Sequence, residues 1–256
     1  MIKRMGAPDG DRISGAADKT WPASNDASRT LTAETSISPV RPPIKIFQIG
    51  FNKCGTTTIH HYLRANGVRS VHWDFGRLAK RMFANLANGD DLLSGYEDFD
   101  AFTDMEYLDG SGTLLEGYKL FPYLAEQYPD AVFILNTRDR EDWVRSRLRH
   151  GSKSLYAQRF MAHRDLSTID ELTDHWRTEW DRHHSRVIEY FKNKPLRFFV
   201  CRIETDLPHL LNQMLPELSL DVAHYRLKKA KSSSRGLVGR LSISIAHRAG
   251  YLRDSR

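Results

Sequence analysis

Short apolar runs alternate with amphipathic segments through the middle of the chain, starting near residue 44. Apolar runs of roughly 4–8 residues, bounded by Gly, Pro or polar turns, are typical of buried strands. They predict strands at residues 44–50, 68–73, 99–103, 131–137 and 196–201. Helical spacing of apolar residues predicts helices between them, at 57–65, 74–86, 114–127, 139–150, 168–193 and 206–215. This alternation predicts an α/β fold, with a parallel sheet and helices on both faces.

Two of these helices carry signals for their N-termini. Asp74 stands at the start of the second predicted helix. At this position the oxygen of a short side chain can accept hydrogen bonds from the free backbone N–H groups of the first turn. Asp139 has the same position in the fourth helix, and Asp142 follows three residues later, as in a capping box. We therefore expect Asp74 and Asp139 to be N-caps.

Composition and charge divide the chain into three parts. Residues 1–43 are rich in Gly, Ala, Ser, Thr, Asp and Pro and lack periodicity, which predicts a disordered N-terminal arm. Residues 44–225 contain the strand–helix alternation and carry a net charge of −3. Residues 226–256 contain 9 Lys or Arg and one Asp, so this basic C-terminal segment carries +8. The overall charge of +6 therefore belongs to the tail and not to the predicted domain.

This charge distribution narrows the range of partners. Because the predicted domain is slightly acidic, we expect no nucleic-acid partner. The basic segment, amphipathic over residues 237–252, fits peripheral contact with a membrane surface, an anionic ligand or a solvated end. No apolar run approaches the ~20 residues of a membrane span, and residues 1–40 lack the apolar core of a signal peptide. We therefore expect a cytoplasmic protein, and the sequence leaves its oligomeric state open.

The segment between the first strand and the first helix has the composition of a phosphate-binding loop. It contains glycines at 50 and 55, a lysine, and three threonines: Lys53, Cys54, Gly55, Thr56, Thr57 and Thr58. Glycines let the backbone curl so that successive N–H groups face one anion, and the helix N-terminus adds partial positive charge. The alternative is a tight strand–helix turn with incidental threonines.

The position of the lysine distinguishes two kinds of phosphate loop. Loops that bind nucleoside triphosphates with Mg²⁺ carry Lys directly after the second glycine. Here Thr56 follows Gly55, and Lys53 stands two residues before it. The usual ATP loop is therefore not intact.

The run Lys53-Cys-Gly-Thr-Thr57 resembles the Lys-x-Gly-Thr-Thr loop of sulfotransferases that use PAPS (3′-phosphoadenosine 5′-phosphosulfate). A second motif is similar to the same family: Arg138 ends the fourth predicted strand, and Ser146 follows eight residues later in the next helix. Alternatively, the arginines of residues 138–149 form a solvated basic face.

The resemblance implies a P-loop-type parallel sheet and PAPS as co-substrate, with no metal. Residues 53–58 would bind the 5′-phosphosulfate, with Lys53 at the bridging oxygen, and Arg138 and Ser146 would bind the 3′-phosphate. Family members often close the donor site with a basic segment near the C-terminus, a part that Arg235 and Gly236 match loosely. The two cysteines and the histidines also lack metal-ligand spacing.

The resemblance leaves the catalytic base open. Cytosolic members have a His soon after the third strand, where this chain has Asp104, and the carbohydrate-modifying branch has a carboxylate after the second strand, near His72 and Asp74. We rank Asp104 first, then His72, then Asp74 and Glu106. Cys54 lies where a positive field lowers a thiol pKa. We nevertheless interpret it as a spacer, because in-line transfer needs no covalent intermediate.

The predicted function is transfer of a sulfuryl group from PAPS to a hydroxyl or amine of a small-molecule or carbohydrate acceptor. Two alternatives stay open. One is a P-loop nucleotide kinase or NTPase, and the other is a non-catalytic relative that binds PAP (3′-phosphoadenosine 5′-phosphate). The sequence does not identify the acceptor.

Overall fold

Five short parallel strands form the central sheet of the structure, a computed structural model that describes residues 44–151 and 154–226. The predicted arm at 1–43 and the residues Arg235 and Gly236 lie outside the described residues. The strands are β1 Ile46–Gln48, β2 Ser70–His72, β3 Ala101–Thr103, β4 Glu106–Leu108, β5 Leu114–Glu116, β6 Val132–Thr137 and β7 Arg197–Arg202. The helices are α1 Thr56–Ala65, α2 Arg77–Asn88, α3 Phe121–Gln127, α4 Arg140–Leu148, α5 Leu155–Arg164, α6 Ile169–Phe191 and α7 His209–Met214.

The sheet has the order β2-β3-β1-β6-β7, so β1 lies at its centre. Phe47 of β1 pairs with Phe102 of β3 on one side and with Phe133 of β6 on the other. The Phe47 ring centroid lies 5.3 Å from each of the other two. The chain crosses from β1 to one half of the sheet through α1, and it later returns to build the other half. The carboxyl end of β1 is therefore the point where ligands bind in open sheets of this type.

Each face of the sheet has its own apolar core, as the alternation of side chains along a strand requires. Ile46 and Ile134 pack with α1 and α7 on one face. Phe47 and Leu135 pack with helices α2 to α6 on the other face. The structure confirms the predicted α/β class with helices on both faces.

The prediction of one helix over residues 114–127 was wrong in its first three residues. Leu114–Glu116 forms β5, which pairs antiparallel with β4. Asp109 organises the connecting turn, since its side chain accepts hydrogen bonds from the backbone N–H groups of Ser111 and Thr113. The helical part of this segment begins only at Gly117, as a 3₁₀ turn over Gly117–Leu120 that leads into α3. Periodicity along the chain does not detect this pairing with residues six or more positions away.

The expected N-cap at Asp74 was also wrong. Residues Trp73, Asp74 and Phe75 all have positive φ, so a 3₁₀ turn precedes α2, which begins at Arg77. The Asp74 carboxylate instead accepts hydrogen bonds from Arg77 and from the Tyr96 hydroxyl, both at 2.6 Å.

The expected N-cap at Asp139 is confirmed, since its side chain accepts from the Asp142 backbone N–H at 2.9 Å. Helix α5 was not predicted. Among the residues that the structure describes, none of the helices combines the length and apolar character that a bilayer crossing requires.

We predict that Gly50→Ala destabilises the fold, because there is no space for a side chain between β1 and β6. A Cβ at Gly50 would lie 2.2 Å from the backbone oxygen of Asn136, and backbone cannot rotate away as a side chain does. We expect a loss of about 3 kcal/mol in the free energy of unfolding, measured by urea denaturation.

Gly110→Ala is the matched control, because its new methyl group would meet only the flexible Arg159 side chain, at 3.9 Å. We expect it to change stability by less than about 1 kcal/mol. Equal unfolding midpoints for the two variants would contradict the prediction.

Candidate functional site

A cavity of about 540 Å³ opens at the carboxyl ends of β1, β2, β3 and β6. It brings together most of the predicted site residues: Lys53, Gly55, Thr56, Thr57, Thr58, His72, Asp104, Arg138 and Ser146. Cys54 lies beneath the loop and is fully buried. Residues that are distant in the sequence therefore share one cleft at the central strand.

A single buried side chain of β6 holds the loop that follows β1. The Asn136 amide oxygen accepts from the Gly50 N–H at 2.9 Å. Its NH₂ group donates to the carbonyl oxygens of Phe51 at 3.1 Å and Cys54 at 2.9 Å. Trp143 of α4 adds a fourth bond, from its indole N–H to the Asn52 carbonyl at 3.0 Å. These bonds fix the backbone on both sides of Lys53, which has a φ of 63°.

The loop ends on Gly55, the N-cap residue of α1. Its φ of 74° is left-handed, and a Cβ would lie 2.8 Å from the Ile203 side chain, so only glycine fits without strain. No side chain among the described residues caps α1. Its first N–H groups and the threonines at 56–58 therefore face the cavity without a protein cap, which suits an anion.

Two cations flank this helix terminus. Burial lowers the pKa of the Lys53 ammonium, and the Asp104 carboxylate partly opposes that effect. Arg138 directly follows β6 and donates through Nη1 to the Lys53 carbonyl at 3.2 Å, while its Nε lies 3.4 Å from Glu204 Oε1. Ser146, buried on α4, lines the same cavity. The cavity thus brings together the two groups of residues that the sequence predicts to bind anions: Lys53 with the start of α1, and Arg138 with Ser146.

The hydrogen bonds of His72 fix its tautomer. The Thr103 hydroxyl donates to the Val71 carbonyl at 3.0 Å, so its oxygen accepts from His72 Nδ1, also at 3.0 Å. The proton of the neutral ring therefore lies on Nδ1, and Nε2 keeps its lone pair. Nε2 lies 3.3 Å from the Thr57 hydroxyl and 3.7 Å from Asp104 Oδ2. Burial, with a smaller effect of His61, lowers the pKa of His72 to about 4, so the ring is neutral at pH 7.

Asp104 follows β3 in a left-handed conformation, with a φ of 54°. Burial and the nearby Glu106 carboxylate raise its pKa to about 7, although Lys53 acts in the opposite direction. A carboxyl group that titrates near neutral pH beside a neutral His is a common arrangement for proton transfer.

The expectation of a lowered pKa for Cys54 was wrong. Complete burial raises the pKa of the thiol, and this effect outweighs that of the nearby Arg138. The thiol is therefore protonated, and the Cys54 carbonyl, not its sulfur, participates in the loop.

The alternative that the arginines of residues 138–149 form a solvated basic face is wrong for Arg147, which is buried. Its guanidinium is buried among the rings of Trp143, Tyr156, Phe160, Trp176 and Phe51, 4.9–5.7 Å from their centroids. It forms an ion pair with Glu106 at 3.1 Å.

Glu106 is the centre of this buried network. Glu106 Oε1 accepts from the Tyr156 hydroxyl at 2.6 Å and from the Asn52 amide at 2.8 Å, so the network reaches the residue next to Lys53. Because its oxygens are engaged, Glu106 is poorly placed to take a substrate proton. Asp74, the other low-ranked candidate, is bound to Arg77 and Tyr96 and does not line the cavity.

Sequence reasoning did not single out several residues of the cavity wall: Asn52, Trp73, Leu108, His150, Leu155, Tyr156 and Arg159. Leu108 belongs to the hairpin β4–β5, and Leu155, Tyr156 and Arg159 belong to α5, neither of which was predicted. Within residues 44–151 and 154–226, no group of three or more His, Cys, Asp or Glu side chains is arranged to hold a metal ion.

The central sheet, with an anion-binding loop between β1 and α1, defines a P-loop-type α/β protein. A family model described as a sulfotransferase domain matches residues 45–214, well over half of the chain. The chain therefore belongs to the sulfotransferase family, and this membership defines it as a transferase that acts in general on small-molecule acceptors. No curated protein shows significant similarity to the chain.

We predict that Asp104→Asn stabilises the protein above pH 7 and has no such effect below pH 4. The pKa of Asp104 in the folded protein is about 7, above the ordinary 3.8, so the folded state binds this proton more tightly than the unfolded chain. Stability contributed by the protonated form is therefore lost as the pH rises from about 4 to about 7. Asn avoids that loss and tolerates positive φ, so we expect a gain of about 2 kcal/mol at pH 8, measured by urea unfolding.

Asp109→Asn provides a control of opposite sign. Hydrogen bonds from Ser111 and Thr113 hold the pKa of Asp109 well below its usual range, so its stabilising effect is present above pH 4. We expect this variant to lose stability at pH 8. A gain for both variants, or an equal effect of Asp104→Asn at pH 4 and pH 8, would contradict the assignment.

Proposed function

We propose that the protein transfers the sulfuryl group of PAPS to a hydroxyl or amine of a small-molecule acceptor and releases PAP. The observation that carries this proposal is that both predicted anion-binding groups, the Lys53 loop at α1 and the Arg138–Ser146 pair, line one cavity. PAPS has two anionic groups, the 5′-phosphosulfate and the 3′-phosphate, and sulfotransferases generally use it as co-substrate. ATP lacks the 3′-phosphate, so the second site favours PAPS.

In this proposal, Lys53 stabilises the breaking of the sulfur–oxygen bond between the sulfuryl group and the phosphate of PAPS. During transfer, the acceptor oxygen forms a bond to sulfur, and the electron pair of the sulfur–oxygen bond passes to the phosphate of the leaving PAP. The Lys53 ammonium neutralises the charge that develops on that oxygen, together with the N–H groups at the start of α1. Asn136 and Trp143 fix the loop beforehand, so little reorganisation accompanies the step.

His72 takes the acceptor proton. Its Nε2 carries the lone pair of the neutral ring and accepts from the Thr57 hydroxyl at 3.3 Å, a long bond that the acceptor hydroxyl would replace beside the proposed phosphosulfate site. The Asp104 carboxylate, 3.7 Å away, stabilises the imidazolium that forms. The geometry thus favours His72 as the base and Asp104 as its partner, whereas the sequence ranked Asp104 first.

The two alternative functions, a kinase or NTPase and a non-catalytic PAP-binding protein, have less support. A kinase or NTPase would need a Lys after Gly55, where this chain has Thr56. A non-catalytic PAP-binding protein would have no use for an oriented His72–Asp104 pair beside Lys53. Cytoplasmic location and peripheral membrane contact through the C-terminal segment stay predictions.

We expect calorimetric titration to show tight binding of PAP and at least ~10-fold weaker binding to Arg138→Ala, which loses a charged partner of the 3′-phosphate. Arg145→Ala is the matched control, because Arg145 lies on the exposed side of α4 and pairs with Asp142. It should bind PAP like the wild type.

Mg·ATP, titrated in parallel, should bind much more weakly than PAP. Absence of PAP binding, or equal binding by Arg138→Ala and the wild type, would overturn the proposed donor site. Stronger binding of Mg·ATP would favour the kinase alternative.

We expect Lys53→Ala and His72→Asn each to lower kcat by roughly 10²–10⁴-fold, while the Kd for PAP changes by less than about tenfold. Both side chains are assigned roles that arise in the transition state, so turnover should suffer much more than binding. The measurement is transfer of labelled sulfate from PAPS to a phenolic acceptor, together with PAP titration of each variant. Full activity of His72→Asn would exclude His72 as the base.

A further inference from the structure

The part of the cavity beyond the donor site is formed by elements on the β2 and β3 side of the sheet. The 3′-phosphate site belongs to β6 and α4, on the opposite side of β1. The remaining wall consists of Trp73 after β2, Leu108 on β4, and Leu155 and Arg159 on α5. Helix α5 is tied to β4 by the 2.6 Å hydrogen bond from Tyr156 to Glu106. This wall therefore faces the proton acceptor His72 and is the place for the acceptor molecule.

One cation of this wall has no role in donor binding. Among the described residues, three Lys or Arg side chains line the cavity, Lys53, Arg138 and Arg159, and the first two belong to the proposed donor site. Arg159 is half-buried, and within residues 44–151 and 154–226 no carboxylate forms an ion pair with it. A guanidinium that is partly removed from water gains most from an anionic partner with matching geometry.

Trp73 supplies a flat apolar surface at the same wall. It lines the cavity, yet 44% of it is exposed, and its ring lies 5.6 Å from that of Phe75, which is 73% exposed. Both residues have positive φ, 56° and 54°, an unfavourable conformation for aromatic residues. Such strain is often found where it places a side chain for a ligand.

We propose that the acceptor is a hydroxyl compound with a flat apolar body and an anionic group, such as a carboxylate; this rests on the proposed function. The body packs on Trp73 and against Leu108 and Leu155, and the anion binds Arg159. The hydroxyl then lies toward His72 and Lys53, at the other end of the wall.

Two small phenols of nearly equal shape test the role of charge: 4-hydroxyphenylacetate and its neutral amide, 4-hydroxyphenylacetamide. Each is titrated into the PAP-saturated protein and assayed as an acceptor with PAPS. We expect the carboxylate to bind about 10- to 100-fold more tightly than the amide, and to show a correspondingly higher kcat/KM. Arg159→Gln should abolish this preference without changing the Kd for PAP.

Arg149→Gln is the matched control, since it removes one positive charge near Lys53 but outside the cavity wall. It should keep the preference. Trp73→Ala should weaken both phenols equally, because stacking does not depend on their charge.

Equal binding of the two phenols, no binding of either to the PAP complex, or a preference that persists in Arg159→Gln would each overturn the inference while PAP binding stands. Failure of PAP itself to bind would overturn the proposed function, and this inference with it.

Discussion

The site depends on the contact between Asn136 and the loop after β1. One amide side chain satisfies three backbone groups, at Gly50, Phe51 and Cys54, in a position with no access to water. An unsatisfied polar group there would be costly, so the loop has one favourable path. That path places Lys53 in a left-handed conformation and starts α1 without a side-chain cap. The loop conformation, and with it the anion site that we propose, is thus a consequence of how β6 packs beside β1.

The charged side chains buried near this loop are stabilised by ion pairs and hydrogen bonds within the protein, and not by contact with water. Arg147 and Glu106 form a buried ion pair that replacement of either partner would leave uncompensated. The network extends through Asn52 to the residue next to Lys53, and through Tyr156 to α5. Asp104 is different, because its burial is only partly compensated and its pKa rises to about 7. The burial of Asp104 therefore costs stability near neutral pH, as is common at active sites, and Asp104 is the group to which we assign a part in proton transfer.

The donor side of the site was predictable from the sequence because its signals are local. Lys53, Gly55 and the threonines lie within six residues. Arg138 follows β6, and Ser146 lies only eight residues later, in α4. The hairpin β4–β5, helix α5 and the burial of Arg147 were not predictable in this way. Each depends on pairing between segments far apart in the chain, such as Glu106 with Tyr156, which propensity and periodicity do not detect. The proposal of His72 as the base likewise depends on a contact between strands, since the tautomer of His72 depends on Thr103, one strand away.

The contrast between local signals and long-range pairing also applies to the construction of the two proposed parts of the cavity, the donor site and the acceptor wall. The donor site needs backbone N–H groups, a helix terminus and a few cations, which a short motif supplies at the centre of the sheet. The acceptor wall combines the strained turn after β2, one strand of a hairpin and a face of α5, joined by the Glu106 network. Changes in Trp73, Leu108, Leu155 or Arg159 would alter this wall without touching Asn136 or the loop it holds. In the proposed function, the acceptor can therefore vary while the donor chemistry stays fixed, and these wall residues are the proposed determinants of acceptor choice.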